Sequence, residues 1–367
     1  MKSKHFQSHM ILLLSLSLLT CILCSACSSS QAQVSKSGFY FDTIITITLY
    51  GTEDDELIED CFDLAERYEN LFSSTVEDSD VSRINAAGGE FVTVDDETIA
   101  LIELGIYYGG LSDGKFDITI GTLSDLWNLS ELAETSDGEE NEADASVLPS
   151  DEEIQEALSH VDYQNVEIEG NQVRLADAEA KLDLGGIAKG YIADRMKEYL
   201  VENGVTSAII NLGGNVLTVG AKTGSSTSLT GNSTTITGTD SATNSAADKN
   251  SSPFRIGIQK PFDTEGELIT TLEITDQSVV TSGIYERYIT VDGQIYHHIL
   301  DTDTGYPYDN GLYSVTIISD SSADGDALST TCLALGLTDG MELVESLEGV
   351  EAVFVTDEYE VVESSGL

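Results

Sequence analysis

The chain predicts an α+β fold, a single mixed domain with two low-complexity surface insertions. Three observations lead there. Strand-like and helix-like segments are interleaved without the strict alternation that builds a parallel sheet. No stretch repeats at a solenoid-like period. The 367 residues, 41% of them hydrophobic, supply a sizeable core, enough for one large domain or two of ordinary size.

The elements follow in order. Residues 39–50 alternate Thr with Ile and Leu before Gly51 and read as a strand. Residues 56–72 place Leu57, Ile58, Cys61, Leu64, Ala65, Tyr68 and Leu71 on one stripe, an amphipathic helix. Residues 79–85 form a turn or short helix, and 98–111 a second, largely buried helix. A helix starts at 151–159, a hairpin spans 166–176, a short strand 181–184 and a helix 188–203. Strands 208–212 and 216–219 flank Gly213-Gly214. A strand-rich half follows at 254–259, 268–274, 278–282, 287–291 and 294–300. Helices at 326–335 and 341–346 and a hairpin of 352–356 with 359–362 close the chain.

Residues 133–149 are acidic and nearly free of large apolar groups; residues 222–252 are rich in Ser, Thr, Gly and Asn. Neither buries enough surface to offset its ordering entropy, so both read as mobile surface loops.

A net charge of −49, from 65 acidic and 16 basic residues, repels phosphate backbones, and a nucleic-acid partner is not expected. Lys2 and Lys4 precede an apolar run over 10–23 and then Ser25-Ala26-Cys27. That is the layout of a signal peptide, 1–26, and the run is short for a membrane span. The small residues before Cys27 resemble a bacterial lipobox with Cys27 as the lipidated residue, although Cys24 stands where Leu is usual. An ordinary cleaved signal is the alternative. A Ser-rich tether, 27–37, leads to a body of 38–367, lipid-anchored to the cell membrane on its outer side. Cys21, Cys24 and Cys27 sit in the signal segment, so their spacing is no metal site. Cys61 and Cys332 remain, as two buried thiols or one disulfide.

Four stretches look chemical. In 182–191 a strand ends at Gly185-Gly186 and a helix begins, with Lys189 in its first turn. Free N–H groups and a lysine there suit an anion; a plain strand-to-helix turn is the alternative, and neither a Rossmann nor a Walker pattern is present. Residues 114–121 with Trp127 offer Phe116 and the only Trp as flanks for an aromatic ligand, though core packing is the commoner use. In 281–288 a strand with Gly283 can present hydroxyls and Arg287, or be a bulged edge. Last come His297-His298, Asp301 and the run 323–331. Adjacent residues of a strand face opposite ways, so one His reaches a site. Asp326 and Thr330 share a helix face. Carboxylate and hydroxyl oxygens suit Mg²⁺ better than Zn²⁺, and with a His they are a kit for chemistry on a phosphate.

Together these segments resemble the ApbE-type FAD:protein FMN transferases, from about residue 39 to the C-terminus apart from the insertions. The resemblance is carried by Phe72-Ser73-Ser74 with 79–85, then 114–121, 182–191, 211–215, 281–288, 298–307 and 326–330. Seven motifs in order make it specific. It implies the ApbE-like fold and transfer of FMN from FAD to a Thr or Ser of a partner, with AMP released. The implied partner is an extracytoplasmic flavoprotein, such as a redox-complex subunit. Mg²⁺ is the implied cofactor and FAD the substrate. Carried over residue by residue, Lys115, Phe116, Asp117, Asp183, Lys189, Ser282, Gly283, Tyr285 and Ile299 would contact FAD. Gly186, through its carbonyl, Asp326, Ser329 and Thr330 would hold the metal. His298 would be the general base, with Asp301 the second catalytic residue. Thr75 stands where many members carry Tyr, and Thr302 where Pro is common. Two other readings are a flavin- or nucleotide-binding lipoprotein without turnover and an FAD pyrophosphate hydrolase. A structural or adhesive surface lipoprotein, the third, leaves the ordered motifs unexplained.

Overall fold

A computed structural model describes residues 32–135, 142–223, 251–263 and 266–367. The signal segment and Cys27 lie outside the described residues. The ordered body begins earlier than expected. Gln33–Tyr40 is a strand, β1, so the end of the expected tether is part of a sheet. It pairs antiparallel with β2 (Thr43–Tyr50) through a two-residue turn in which Phe41 and Asp42 both have positive φ. That turn matches the twist of the strands it joins.

Helix α1 (Glu56–Phe72) buries Ile58, Cys61, Phe62, Ala65, Tyr68 and Phe72 and carries Glu56 and Glu59 in its first turn, where the helix dipole favours them. Then come α2 (Asp80–Ala86), β3 (Val92–Thr93), α3 (Asp96–Leu111), α4 (Gly121–Trp127) and α5 (Leu129–Thr135). Helix α6 (Asp151–Leu158) starts with a Ser150/Glu153 capping box. The hairpin of β4 (Val166–Glu169) and β5 (Gln172–Leu175) is joined by β3. Helix α7 (Ala188–Glu202) leads to β6 (Ala208–Leu212) and β7 (Asn215–Val219). Their turn is Gly213-Gly214, both at positive φ; a Cβ on Gly213 would lie 2.2 Å from Thr43 Oγ1, so only glycine fits against the β1–β2 turn.

The short strands β8 (Lys222–Thr223) and β9 (Ser251–Ser252) pair with each other. They close the base of the second insertion, whose residues 224–250 are outside the described set. Two hairpins follow, β10 (Phe254–Gln259) with β11 (Leu268–Ile274), and, after β12 (Ser278–Gly283), β13 (Tyr288–Val291) with β14 (Gln294–His297). The chain ends with β15 (Leu312–Ser319), α8 (Ser322–Ser346), β16 (Glu351–Thr356) and β17 (Val361–Glu363).

The main sheet has eight strands in the order β1-β2-β6-β7-β12-β15-β16-β17, and each neighbouring pair is antiparallel. The α+β expectation stands on this arrangement. Helices α7 and α8 pack on each other and on the central strands. Strand β15 is buried on both faces: Val315 and Ile317 join the main core, while Ile318 packs with Ile258, Leu272 and Ile274 beneath the β10–β11 hairpin. A smaller cluster joins Leu123 and Trp127 of α4, Leu129, Ile154 of α6, Ile289, Val291 and Leu300.

Several local expectations change. The first insertion is not a free loop where it is described. Helix α5 runs into it, Ala143 N donates to Thr290 O at 2.9 Å, and Ala143 and Leu148 pack on the smaller cluster. Residues 181–184 form no strand of their own. They are extended against 118–121 through Gly121 N to Lys181 O and Asp183 N to Ile118 O. The two expected C-terminal helices hold: α8 is two helical stretches that meet at Gly336, whose φ of 80° breaks the helix between them. Cys61 and Cys332 are both buried free thiols. No described helix is long and apolar enough to cross a membrane.

Candidate active site

The site is built from loops that the sheet and the α7–α8 pair deliver to one place. Asn85, at the end of α2, clamps the strand-to-helix segment with a two-way amide bond: Nδ2 donates to Leu182 O at 2.9 Å and Leu182 N donates to Oδ1 at 2.7 Å. That clamp fixes Asp183, whose Oδ1 accepts from Gly185 N at 2.8 Å. Lys189, in the first turn of α7, lays its Nζ on Gly185 O at 2.9 Å. Where α7 crosses α8, Gly190 N donates to Asp326 Oδ2 at 2.8 Å. Asp194 of α7 receives Ser322 N and Ala323 N at the start of α8, a carboxylate on a helix N-terminus.

These segments surround a cavity of about 610 Å³, inside the range of about 300–1,000 Å³ typical of small-molecule sites. Its walls include the β1–β2 turn, residues 72–75 after α1, Phe116, 183–189, Asn215, 280–282, Glu286, Arg287, 298–300 and Asp326 with Thr330. Of the 16 Lys and Arg in the chain, Lys115, Lys189 and Arg287 all line it.

His298 faces this cavity. Its Nδ1 lies 3.3 Å from Arg287 O. A carbonyl only accepts, so Nδ1 carries the proton and Nε2 keeps its lone pair. Burial first, then the Arg287 and His297 charges, push its pKa down to about 3. The ring is therefore neutral near pH 7. Neighbouring His297 faces the other way, buried with Nε2 on Tyr308 O at 2.8 Å.

Asp326 is 5% exposed, and burial raises its carboxyl above the usual range against the pull of Lys189 and Gly190 N. Its Oδ1 accepts no hydrogen bond from any described residue. A buried carboxylate with a free oxygen at the cavity wall, beside the Thr330 hydroxyl, fits a hard cation. Glu286 fits the same picture. It is an exposed residue that opens on the cavity, and the protein around its carboxyl pushes it up to about 7, with Lys189 and Arg287 opposing and Asp326 adding to the rise. Two carboxylates facing one space favour a cation between them.

Of the residues expected in the site, Lys115, Phe116, Asp117, Asp183, Gly186, Lys189, Ser282, His298, Ile299, Asp326 and Thr330 line the cavity. Asp117 does so with both oxygens engaged: Oδ1 accepts from Thr119 N and Oγ1, and Oδ2 from Tyr163 N. Four expected residues are elsewhere. Asp301 caps a turn, accepting from Asp303 N, Thr304 Oγ1 and Lys115 Nζ, the last at 3.3 Å. Burial raises its carboxyl, but these bonds outweigh that and hold it below the usual range. It positions Lys115 rather than facing the cavity. Ser329 is fully buried behind the wall, donating to Asp326 O and bonded to Ser282 Oγ at 2.8 Å. Tyr285 folds back over Gly283 and joins an aromatic cluster with Phe262 and Tyr313, which takes Gly283 out of the wall as well. Trp127 is also core, 2% exposed with Nε1 donating to Gly305 O.

The sequence reading misses Glu286, Asn215 and the β1–β2 turn. Glu286 lies inside a motif already singled out, beside Arg287. An acidic residue among so many carries no composition signal, and only its place on the cavity wall beside Asp326 marks it.

Fold and cavity define a class: an α+β protein whose small-molecule cavity is lined by clustered cations, carboxylate and hydroxyl oxygens and a neutral histidine. The chain belongs to the ApbE family, whose profile matches residues 41–354. It is similar to the FAD:protein FMN transferase of Klebsiella pneumoniae, 36% identical over 92% of this chain and 93% of the relative. That of Treponema pallidum is 31% identical over 95% and 92%. Among solved structures, the ApbE protein of Thermotoga maritima superposes with a TM-score of 0.74 at 31% identity, over 91% of this chain and 97% of that one. The flavin transferase ApbE of Vibrio cholerae gives 0.72 at 26%, over 91% and 98%.

Proposed function

We propose that this protein transfers FMN from FAD to a Thr or Ser hydroxyl of an extracytoplasmic flavoprotein, releasing AMP. The observation that carries the reading is His298, neutral and with Nε2 free, facing the same cavity as Asp326, Thr330, Lys189 and Arg287. The names of the relatives support the same activity.

In this reading the acceptor oxygen attacks the FMN phosphorus and its proton passes to His298 Nε2. The new phosphoester P–O bond forms as the pyrophosphate P–O bond breaks, and AMP leaves. Lys189 and Arg287 offset the charge of the pyrophosphate in a strongly acidic protein. Phe116 offers an apolar edge, and the 183–189 turn offers backbone groups to phosphate oxygens. Mg²⁺, held by the Asp326 carboxylate, the Thr330 hydroxyl and the Gly186 carbonyl, would supply charge neutralisation and Lewis acidity at phosphate. The general base typically contributes about 10²–10⁴-fold. The N-terminal segment fits export and a lipid anchor at Cys27, which would put the enzyme beside extracytoplasmic redox partners.

The test is direct. The chain is incubated with FAD, Mg²⁺ and a secreted flavoprotein domain carrying an acceptor Thr, and the acceptor is weighed by mass spectrometry. A covalent FMN adduct that needs Mg²⁺ and falls about 100-fold or more in Asp326→Ala supports the reading. An Asp326→Ala protein that transfers FMN at the parent rate removes the metal assignment.

A further inference from the structure

We infer that Glu156, His160 and Glu179 form a second metal site, suited to Zn²⁺ or a similar transition metal and separate from the cavity.

These three residues offer one ligand atom each, all within 4.8 Å of one another, and form the one such His/carboxylate trio among the described residues. Glu156 sits on the last turns of α6 and His160 just past its end. Glu179 lies in the turn after β5. His160 carries the argument. Its Nδ1 is 2.7 Å from Asp177 Oδ2, which fixes the ring and turns Nε2 toward Glu156 and Glu179. Nε2 is buried and has no hydrogen-bond partner. Two carboxylate oxygens form ion pairs with it instead, Glu179 at 3.5 Å and Glu156 at 3.9 Å. The Asp177 hydrogen bond first, then these charges, hold the imidazole above its usual pKa, so a cation binds there by displacing the Nε2 proton.

Those separations are long for hydrogen bonds but near the edge of a metal tetrahedron. Zn–N and Zn–O bonds of about 2.0–2.2 Å place neighbouring ligand atoms about 3.3–3.5 Å apart. Glu156 is largely exposed and free to swing inward. A ligating imidazole that gives its other nitrogen to a carboxylate is the usual outer-shell arrangement of zinc histidines, and Asp177 supplies it here. One nitrogen and two carboxylates with an open fourth position suit Zn²⁺ rather than Mg²⁺. The strong negative charge of the chain concentrates cations at such a point. Occupancy would tie the end of α6 to the turn that delivers residues 181–183, so the site braces the cavity wall without touching it.

The full chain, stripped with EDTA and kept in saturating Mg²⁺, is titrated calorimetrically with Zn²⁺, and its Tm is followed. One Zn²⁺ is expected, raising the Tm. His160→Gln and Glu179→Gln each weaken it at least tenfold, and Asp177→Asn about 10–100-fold. Co²⁺ in place of Zn²⁺ gives the intense visible bands of four-coordination, lost in His160→Gln. Glu179 is exposed, so its variant keeps the test valid if His160→Gln fails to fold. Zinc binding that is absent, or equal in the parent and both variants, overturns the site.

Discussion

At the scale of single residues, one cavity wall holds His298 neutral and raises the carboxyl of Glu286. His298→Ala is expected to lower kcat for FMN transfer about 10²–10⁴-fold while FAD still binds, measured by single-turnover transfer beside equilibrium FAD titration. Unchanged turnover would take the proton from another group. Glu286 makes a pH prediction. Its folded-state pKa is raised, from 4.5 to about 7. The stability it contributes is therefore full below 4.5 and is lost as pH rises through 7. His298 acts with the opposite sign, because its folded pKa is depressed from 6.5 to about 3. Stability from its side is gained as pH rises through that window. Comparing the parent with Glu286→Gln cancels the histidine and every other shared group. The Tm of the parent should fall relative to the variant between pH 4.5 and 7, without Mg²⁺. Parallel Tm curves would mean Glu286 is solvated like a surface carboxylate. The site was partly legible at this scale. That one of the paired histidines reaches the cavity was legible because neighbours on a strand face opposite ways; which one does so came from the motif, and His298 is the one that lines the cavity. Asp301 was misread because a turn cap and a catalytic carboxylate look the same in sequence beside a histidine.

At the scale of elements, the α7–α8 crossing is the joint that sets Asp326 against Lys189 and Gly190. A Cβ on Gly190 would lie 2.2 Å from Ser322 O and 2.7 Å from Ala323 Cα, so the helices meet backbone to backbone. Gly190→Ala is expected to cost roughly 1–3 kcal/mol by overpacking and to loosen the Gly190–Asp326 bond. Urea unfolding should show the first effect and a raised Mg²⁺ requirement for transfer the second. A variant as stable as the parent would show that the crossing gives way at no cost. Helix α1 was legible to its ends because its apolar stripe faces a core on one side only. Strand β15 carries no such signal: both faces are buried, alternation vanishes, and the apolar run tells no period. The expectation of a free loop at 133–149 is limited at its described ends, 133–135 and 142–149, for a related reason. Ala143 and Leu148 are small payloads in an acidic run, and their packing depends on strand β13, which is remote in sequence.

At the scale of the whole molecule, a chain of net charge −49 gathers three of its cations at one cavity, which makes that cavity the place where a polyanionic substrate meets least repulsion. The second insertion leaves the body through the paired strands β8 and β9. Replacing residues 224–250 by a four-residue turn should keep transfer activity and shift stability by only about 1–2 kcal/mol through loop closure. Loss of folding, read by thermal melting, would give the insertion a structural role.

The order of the strands also sets a timetable. Ile45 of β2 pairs with Leu212 of β6, and Ser278 of β12 pairs with both Leu217 and Ser319. Few of these neighbours are close in sequence, so the chain must close long loops before most contacts repay their entropy, which places refolding toward the slow, millisecond-to-second regime. A polypeptide emerging from its N-terminus holds the β1–β2 hairpin without its sheet partner until α7 and β6 have followed. The apolar face of β2, with Ile45, Ile47 and Leu49, is then the segment most in need of a chaperone during synthesis.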